Sequence, residues 1–410
     1  MFCFRYIYSR KKAKEGLLHK VYDVIICGAG PAGSIAATGL RLKGLSVLLL
    51  DEKEFPRDKV CGDQITPLGI DLLKEFGMVD NGLLKYTQKI DKMLIQGPDK
   101  AVARLQFDLK ENQSEIYIIP RRALDHHLVR GAENLGTERF TGHLFEICTH
   151  TDGISVKCRT GGVVHQFQGK VLIGADGSSS TVSRLAGLHP VKRRGIAIRA
   201  YLHGIHLQAD RLEGYFDRKW LPGYAWLFPT SQNSANIGLG MNVDHFKKTK
   251  PNLKDLLSVF VDQPYIKSRL SEDFSIENIG TWPLNIGPPK WNQLYKDRLI
   301  LIGDAASLIN PFTGGGIETG IISGLLAAEV IAEHLADDDF SKKIMKTYAK
   351  RLKKKLNLEQ TLFLIATKIV GASPWIVEFL IKLVEISDLP FIFMKYMYKG
   401  NRVKRVDRTK

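Results

Sequence analysis

Gly28, Gly30 and Gly33 stand in the run Gly28-Ala29-Gly30-Pro31-Ala32-Gly33, a spacing that suits the cradling of a diphosphate by main chain. The preceding run, Val21 to Cys27, is short, apolar and rich in β-branched residues, so it reads as a strand. Ser34 to Lys43 carries small residues at helical spacing and reads as a helix. In such a turn Gly28 permits the tight bend, Gly30 lets backbone approach the pyrophosphate and Gly33 lets helix pack on strand. The helix N-terminus then faces the diphosphate charge, with Pro31 and Ala32 of the turn counted among the cofactor-binding residues. Gly44 ends the helix, and Leu45 to Leu50 is a second strand finishing at Asp51. That acid would accept from adenosine ribose hydroxyls, with Glu52 as the alternative acceptor. The unit predicts a dinucleotide site and leaves the dinucleotide open.

Two later segments share one design. Lys170 to Asp176 and Asp297 to Asp304 are buried-strand patterns that run into Gly-x-Asp and Gly-Asp turns. Between them, residues 190 to 285 alternate more strongly and carry Trp220, Tyr224, Trp226 and Phe228, as a mostly antiparallel sheet would. After Gly316, Ile317 to Leu335 is rich in alanine, glycine and isoleucine, which suits a helix packed closely on a sheet or cofactor. From Pro374, Trp375, Phe379, Leu383 and Ile386 draw an apolar stripe, and Glu378, Lys382 and Glu385 a polar one. That amphipathic helix either covers a domain surface or lies in a membrane interface. The second reading draws on Phe391, Phe393, Met394, Tyr396, Met397 and Tyr398 before a basic tail.

Composition bounds these readings. A chain of 410 residues, 44% hydrophobic and 25% charged, is longer than one core usually grows, so two domains are expected. The net charge of +16 concentrates near the ends and between Lys342 and Lys355, without the interleaved aromatics that stack bases, which argues against nucleic acid. Five cysteines, Cys3, Cys27, Cys61, Cys148 and Cys158, include no Cys-x-x-Cys pair and suggest reduced thiols in a cytoplasmic compartment. No run reaches the length of a spanning helix, and the first twenty residues lack a signal-peptide core. His126-His127 has no companion ligands at metal spacing, so no metal is assigned.

Gly174-Ala175-Asp176-Gly177-Ser178 resembles the Asp-Gly motif, and Gly303-Asp304-Ala305-Ala306 the Gly-Asp motif, of flavoproteins related to para-hydroxybenzoate hydroxylase. That resemblance implies FAD, with Asp304 on the ribityl chain and the amides of Pro311 to Gly316 along the isoalloxazine edge where the helix from Ile317 begins. Gly314, Gly315 and Gly316 belong to that loop. A narrower resemblance is to the geranylgeranyl reductase family. Phe55-Pro56-Arg57-Asp58-Lys59-Val60-Cys61-Gly62-Asp63 is similar to its Phe-Pro-Arg-x-Lys-x-Cys-Gly segment, and Tyr224-Ala225-Trp226-Leu227-Phe228-Pro229 to its Tyr-x-Trp-x-Phe-Pro signature. Ile309 to Gly314 fits its flavin loop. Gly315 and Thr230 depart from residues that many or some relatives carry there.

The family implies an α/β chain. A Rossmann-like FAD-binding domain (21–80, 115–189, 290–340) would join a mostly antiparallel substrate domain (81–114, 190–289), flanked by a basic extension (1–20) and a helical, basic C-terminal region (341–410). It implies roles for Cys61, Tyr224, Trp226 and Phe228 on the substrate side of the flavin, and for Gly62 and Arg121 beside the cofactor. On the residues alone, Cys61 is equally an inert packed thiol, Trp226 and Phe228 a core pair, and Arg122 an alternative to Arg121. The expected reaction is hydride transfer from reduced flavin to an isoprenoid double bond, with NADPH or reduced ferredoxin as donor. A cytoplasmic enzyme held on the inner membrane face by its C-terminal region would fit, with no oligomeric state implied. The rivals are a monooxygenase, a halogenase on the likeness of Gly223 to Pro229 to Gly-Trp-x-Trp-x-Ile-Pro, and a non-catalytic flavin-carrying electron relay at a membrane.

Overall fold

The computed structural model describes residues 20–108, 115–386 and 402–405. In chain order, the elements that position the site are β1 (Val21–Cys27), α1 (Pro31–Leu42), β2 (Val47–Asp51), α2 (Arg121–Asn134), β3 (Glu138–Thr141) and β4 (Val163–Gly174). They are followed by β5 (Arg193–Ile205), β6 (Tyr224–Pro229), β7 (Ser234–Asn242), β8 (Leu270–Ile286), β9 (Leu299–Leu301), α3 (Ile317–Glu333), α4 (Lys342–Ala372) and α5 (Pro374–Ile386).

The βαβ unit forms as its apolar runs require. β1 pairs in parallel with both β2 and β4, and β4 with β9. A parallel sheet is covered on both faces, and accordingly Val24, Ile25 and Ile26 are fully buried. In register, Cys27 lies opposite Leu50 and Gly174, and Gly174 opposite Leu301. All four strands therefore end at one edge, where ligands of open α/β sheets bind. α3 packs on α1 through small residues: a Cβ on Gly39 would lie 3.1 Å from that of Ala328, and one on Gly324 only 2.6 Å from the Ala32 carbonyl oxygen. The alanine and glycine content of α3 follows from this approach.

The second sheet runs β8, β5, β7, β6, Arg211–Tyr215, Lys92–Gln96, Val102–Asp108 and Arg402–Arg405. Its pairs are antiparallel except Arg211–Tyr215 against Lys92–Gln96. A third, small sheet joins Gln64–Ile65, Ile116–Ile118 and Gln88–Ile90. Gln88–Ile90, expected with the substrate sheet, instead pairs with Ile116–Ile118, across that strand from Gln64–Ile65.

Two C-terminal expectations need correction. Arg402–Arg405 is a strand on Val102–Asp108 and not part of a helical end. In α5 one polar residue faces in and two apolar ones face out: Val377, Glu378, Ile381 and Val384 are buried, whereas Lys382 stays exposed and Trp375 and Phe379 are exposed and stacked with ring centroids 5.5 Å apart. The Glu378 carboxylate is turned inward because it accepts from the amides of Asp99 and Ala101, at 2.9 and 2.8 Å, and so closes that loop. The N-terminal extension apart from Lys20, and the aromatic run from Phe391 to Tyr398, lie outside the described residues. Among the described residues no single helix is long and apolar enough to cross a membrane.

Candidate active site

Gly28 adopts φ 104°, and a Cβ there would fall 2.3 Å from the Ala175 carbonyl oxygen. One on Gly33 would fall 1.9 Å from the Gly28 oxygen, so both positions require glycine for contact with neighbouring backbone. Gly30 differs. Its Cβ would meet only the guanidinium tips of Arg121 and Arg57, each at 3.8 Å. No side chain caps the N-terminus of α1, nor that of α3 at Gly316. Two helix starts with unspent amide donors, one roofed by cations, suit a diphosphate-bearing ligand.

Asp51 and not Glu52 faces this turn. Its carboxylate accepts from the amides of Ala29 at 2.8 Å and Lys53 at 3.0 Å, and Arg57 Nη2 stands 3.6 Å away. Glu52 is exposed, with His143 3.7 Å off. Likewise Arg121 is buried and Arg122 is exposed. Arg121 Nε and Nη2 donate to the two oxygens of Asp125 at 2.6 and 2.7 Å, and Arg57 Nη1 donates to Asp125 at 3.0 Å. One fully buried carboxylate thus holds both arginines over the turn.

The Asp-Gly segment is built otherwise. Asp176 is engaged internally, accepting from Ser180 Oγ and, at 2.9 Å, from the Val182 amide, and so fixes the following short helix. Asp304 lies in a 3₁₀ turn, Gly303–Ala306, that Asn285 ties to the Asp-Gly segment by donating to the carbonyls of Ser178 and Asp304 at 2.7 and 3.3 Å. A Cβ on Gly303 would lie 3.0 Å from that of Ala32, and one on Gly316 would lie 2.8 Å from Asp304 Oδ1. Asn310 shapes the loop before α3, accepting from the amides of Phe312 and Thr313, while Gly314 takes φ 70°. Gly315 follows it, and Ile317 begins α3 buried.

Cys61 and Gly62 connect this cofactor side to the antiparallel sheet. A Cβ on Gly62 would stand 3.1 Å from the Phe228 ring and 3.6 Å from Trp226 Nε1. Trp226 Nε1 donates to Asn236 Oδ1 at 2.9 Å, and Asn236 Nδ2 donates to the Cys61 carbonyl and to Asp63, at 2.8 and 2.7 Å. Tyr201 and the Arg121 amide also donate to Asp63, at 2.6 and 3.3 Å. Burial pushes the Asp63 carboxyl up to about 6 against these donors. Burial also raises the Cys61 thiol, with Arg121 opposing, so Cys61 is a packed thiol and not a standing thiolate. Trp226 and Phe228 are nearly buried, both core and wall, and Tyr224 Oη donates to the Thr313 carbonyl in the loop before α3 at 2.6 Å.

Sequence reading passed over Arg57, Lys59, Asp63, Asp125, Arg199, Tyr201, Asn236 and Trp282. Arg57, Lys59 and Asp63 lie inside the Phe55-to-Asp63 motif. Arg199 and Asn236 were visible as polar residues inside otherwise apolar strands. Arg199, fully buried, donates to both oxygens of Asp58, at 2.7 and 2.8 Å, and to the Lys59 carbonyl at 2.9 Å, pinning the motif loop on the sheet. Among the described residues, Lys59 Nζ and Trp282 Nε1 are buried without a hydrogen-bond partner. Orphaned donors beside Asp304 fit a cofactor rich in acceptors.

The fold and cradle define a flavoprotein, and a profile described as an FAD binding domain matches residues 21–356. A digeranylgeranylglycerophospholipid reductase of Methanococcoides burtonii is 33% identical, covering 80% of this chain and 79% of its own. One from Methanopyrus kandleri is 32% identical, covering 80% and 85%. A geranylgeranyl bacteriochlorophyll reductase-like protein from Thermoplasma acidophilum superposes with a TM-score of 0.81 at 25% identity, over 90% of this chain and 92% of that one. A flavin-dependent brominase, at 21% identity and a TM-score of 0.76, shares the fold. The chain belongs to the geranylgeranyl reductase family of FAD-dependent oxidoreductases.

Proposed function

We propose that this enzyme saturates isolated double bonds in the isoprenoid chains of a membrane lipid. The observation that carries the reading is the seating of the Trp226 and Phe228 face on Cys61-Gly62, which sets an apolar wall directly against the cofactor cradle. That wall continues through Leu105, Phe107, Leu212 and Leu221 into the inner faces of α4 and α5. Apolar residues bind a hydrocarbon chain and exclude water, while the bound FAD supplies the hydride. The electrons come from NADPH or reduced ferredoxin.

The same reading includes a peripheral, cytoplasmic-face membrane contact. Leu358, Leu362, Ile365 and Ile369 are exposed at helical spacing on α4, continuing toward exposed Trp375 and Phe379 on α5. Lys350, Lys353, Lys354, Lys355, Lys368 and Lys382 lie on the same two helices, as an anionic lipid surface favours. Ile365→Glu with Trp375→Glu should abolish sedimentation with anionic vesicles at unchanged FAD content; unchanged sedimentation rejects the contact.

The catalytic test is anaerobic. Reduced enzyme mixed with a geranylgeranyl lipid should reoxidise while the lipid gains the mass of two hydrogens per double bond. An unchanged lipid, with substrate-dependent oxygen uptake in air, would instead establish a monooxygenase.

A further inference from the structure

Lys59 is placed unlike the other cations of the cradle. Its carbonyl is held by Arg199, and its side chain leaves the loop toward β8, where Nζ sits 3.2 Å from the centroid of the Trp282 ring. Among the described residues no acceptor reaches the amine, and the Trp282 Nε1 beside it is equally without one. The charged and titratable groups facing Lys59 are Asp304 from the 3₁₀ turn, Arg121 from α2, and Arg57 and Cys61 from its own loop. Asp58, next to it in sequence, is turned away onto Arg199. Trp282 adds a ring face but no charge. The amine therefore lies against Trp282 on β8, on the loop that carries Gly62 to the Trp226 and Phe228 rings, with Asp304, Arg121 and Arg57 as its charged neighbours.

We propose that Lys59 is the proton store of the reaction, taking up a proton as the cofactor is reduced and giving it to the alkene carbon that does not receive the hydride. Burial is the main reason why its ammonium is pushed down to about 7; Arg121 and Arg57 push the same way, and Asp304 pulls back. Such an amine exchanges its proton readily near neutral pH, and negative charge gained nearby raises its affinity for one. The step balances. Two electrons and a proton leave the reduced flavin as hydride to one carbon, the π bond breaks, and the second carbon takes the proton from the Lys59 ammonium, which becomes a neutral amine. The next two-electron reduction, from a nicotinamide or an iron–sulfur carrier, restores both. The delivery step rests on the reductase reading, whereas the uptake step does not.

The test is the midpoint potential of the FAD-loaded protein, measured by anaerobic titration against reference dyes from pH 7 to 9. Two protons per two electrons give a slope of about 59 mV per pH unit, and one proton gives about 30 mV. Wild type should show the steeper slope above pH 7, where the amine is mostly neutral before reduction. Lys59→Met should show the shallower one throughout, and Lys59→Arg, charged at every pH, should also be shallow. Equal slopes in wild type and Lys59→Arg overturn the proposal even if Lys59→Met fails to retain FAD. A steep slope in both wild type and Lys59→Met places the proton elsewhere and also overturns it. In single turnover with a geranylgeranyl lipid, Lys59→Met should slow flavin reoxidation by about 100-fold. An unchanged rate removes the delivery step. Wild type that is not reoxidised by the lipid refutes the reductase reading, and the slopes still judge proton uptake.

Discussion

The two ends of the cradle are assembled on opposite principles. Over the glycine turn every cation has an anion: Arg121 and Arg57 share the buried Asp125, and Arg57 also nears Asp51. At the other end, where Lys59 has Asp304 as a charged neighbour, Lys59 Nζ and Trp282 Nε1 are buried with no hydrogen-bond partner among the described residues. Buried charges are stabilised by pairing, so the first end is organised by the protein itself and belongs to its stability. The second end is left for a ligand to complete. Substitutions at the first should act on folding without cofactor, and those at the second on the cofactor.

Asp125→Ala attacks that distinction hardest, because it strands two arginines, one of them buried, over the turn. A loss of about 3–5 kcal/mol is expected in the FAD-free protein, read by denaturant unfolding. A loss seen only with FAD bound would show that the first end is also ligand-completed.

Asp63 joins the ends, and its titration gives the next largest effect. In the fold its carboxyl is raised from 3.8 to about 6 by burial. Between those values the folded chain holds a proton that the unfolded chain has lost. Its contribution is thus fully present below about pH 4, falls as pH rises and is gone above about pH 6, a change of roughly 3 kcal/mol. Asp63→Asn should flatten this part of the stability profile. An unchanged slope would mean that other groups set it.

What could be read in advance divides along the same line. Gly28 to Gly33 and Asp51 were legible because a βαβ turn is local, each residue acting on a neighbour a few positions away or on the adjacent strand. Asp304 and the loop to Gly316 were legible through a motif. The role of Asp176 was not, since Ser180 and the Val182 amide, which claim its carboxylate, are ordinary residues in any sequence. Nor was the state of Lys59, which depends on Trp282 arriving from β8 with no acceptor. α5 was legible as amphipathic but not in its facing: of the two readings open for its apolar stripe, a covered domain surface or a membrane interface, the first fails for Trp375 and Phe379, because Glu378 accepts from two loop amides and those rings stand outside.

Trp282→Phe sharpens the comparison from the other end. The indole N–H has no partner among the described residues, so removing it costs no hydrogen bond seen within the fold. Unfolding without cofactor should shift by about 1 kcal/mol or less, while FAD affinity should fall about tenfold if that donor serves the ligand. A stability loss as large as that of Asp125→Ala would erase the distinction.

Tyr224→Phe is expected to do least. It deletes one hydrogen bond, from the Tyr224 hydroxyl to the Thr313 carbonyl, between the aromatic strand and the loop before α3. Thr313 is exposed, so the freed carbonyl can turn to water, and the net change in unfolding should be about 1 kcal/mol. The sharper readout is the loop itself. Because Asn310 already holds it through the amides of Phe312 and Thr313, FAD should remain bound. Protection of the Gly314 to Gly316 amides from hydrogen exchange should fall in Tyr224→Phe and fall further in Asn310→Ala. The reverse order would make the aromatic strand, and not the loop's own turn, the feature that shapes this edge of the cradle.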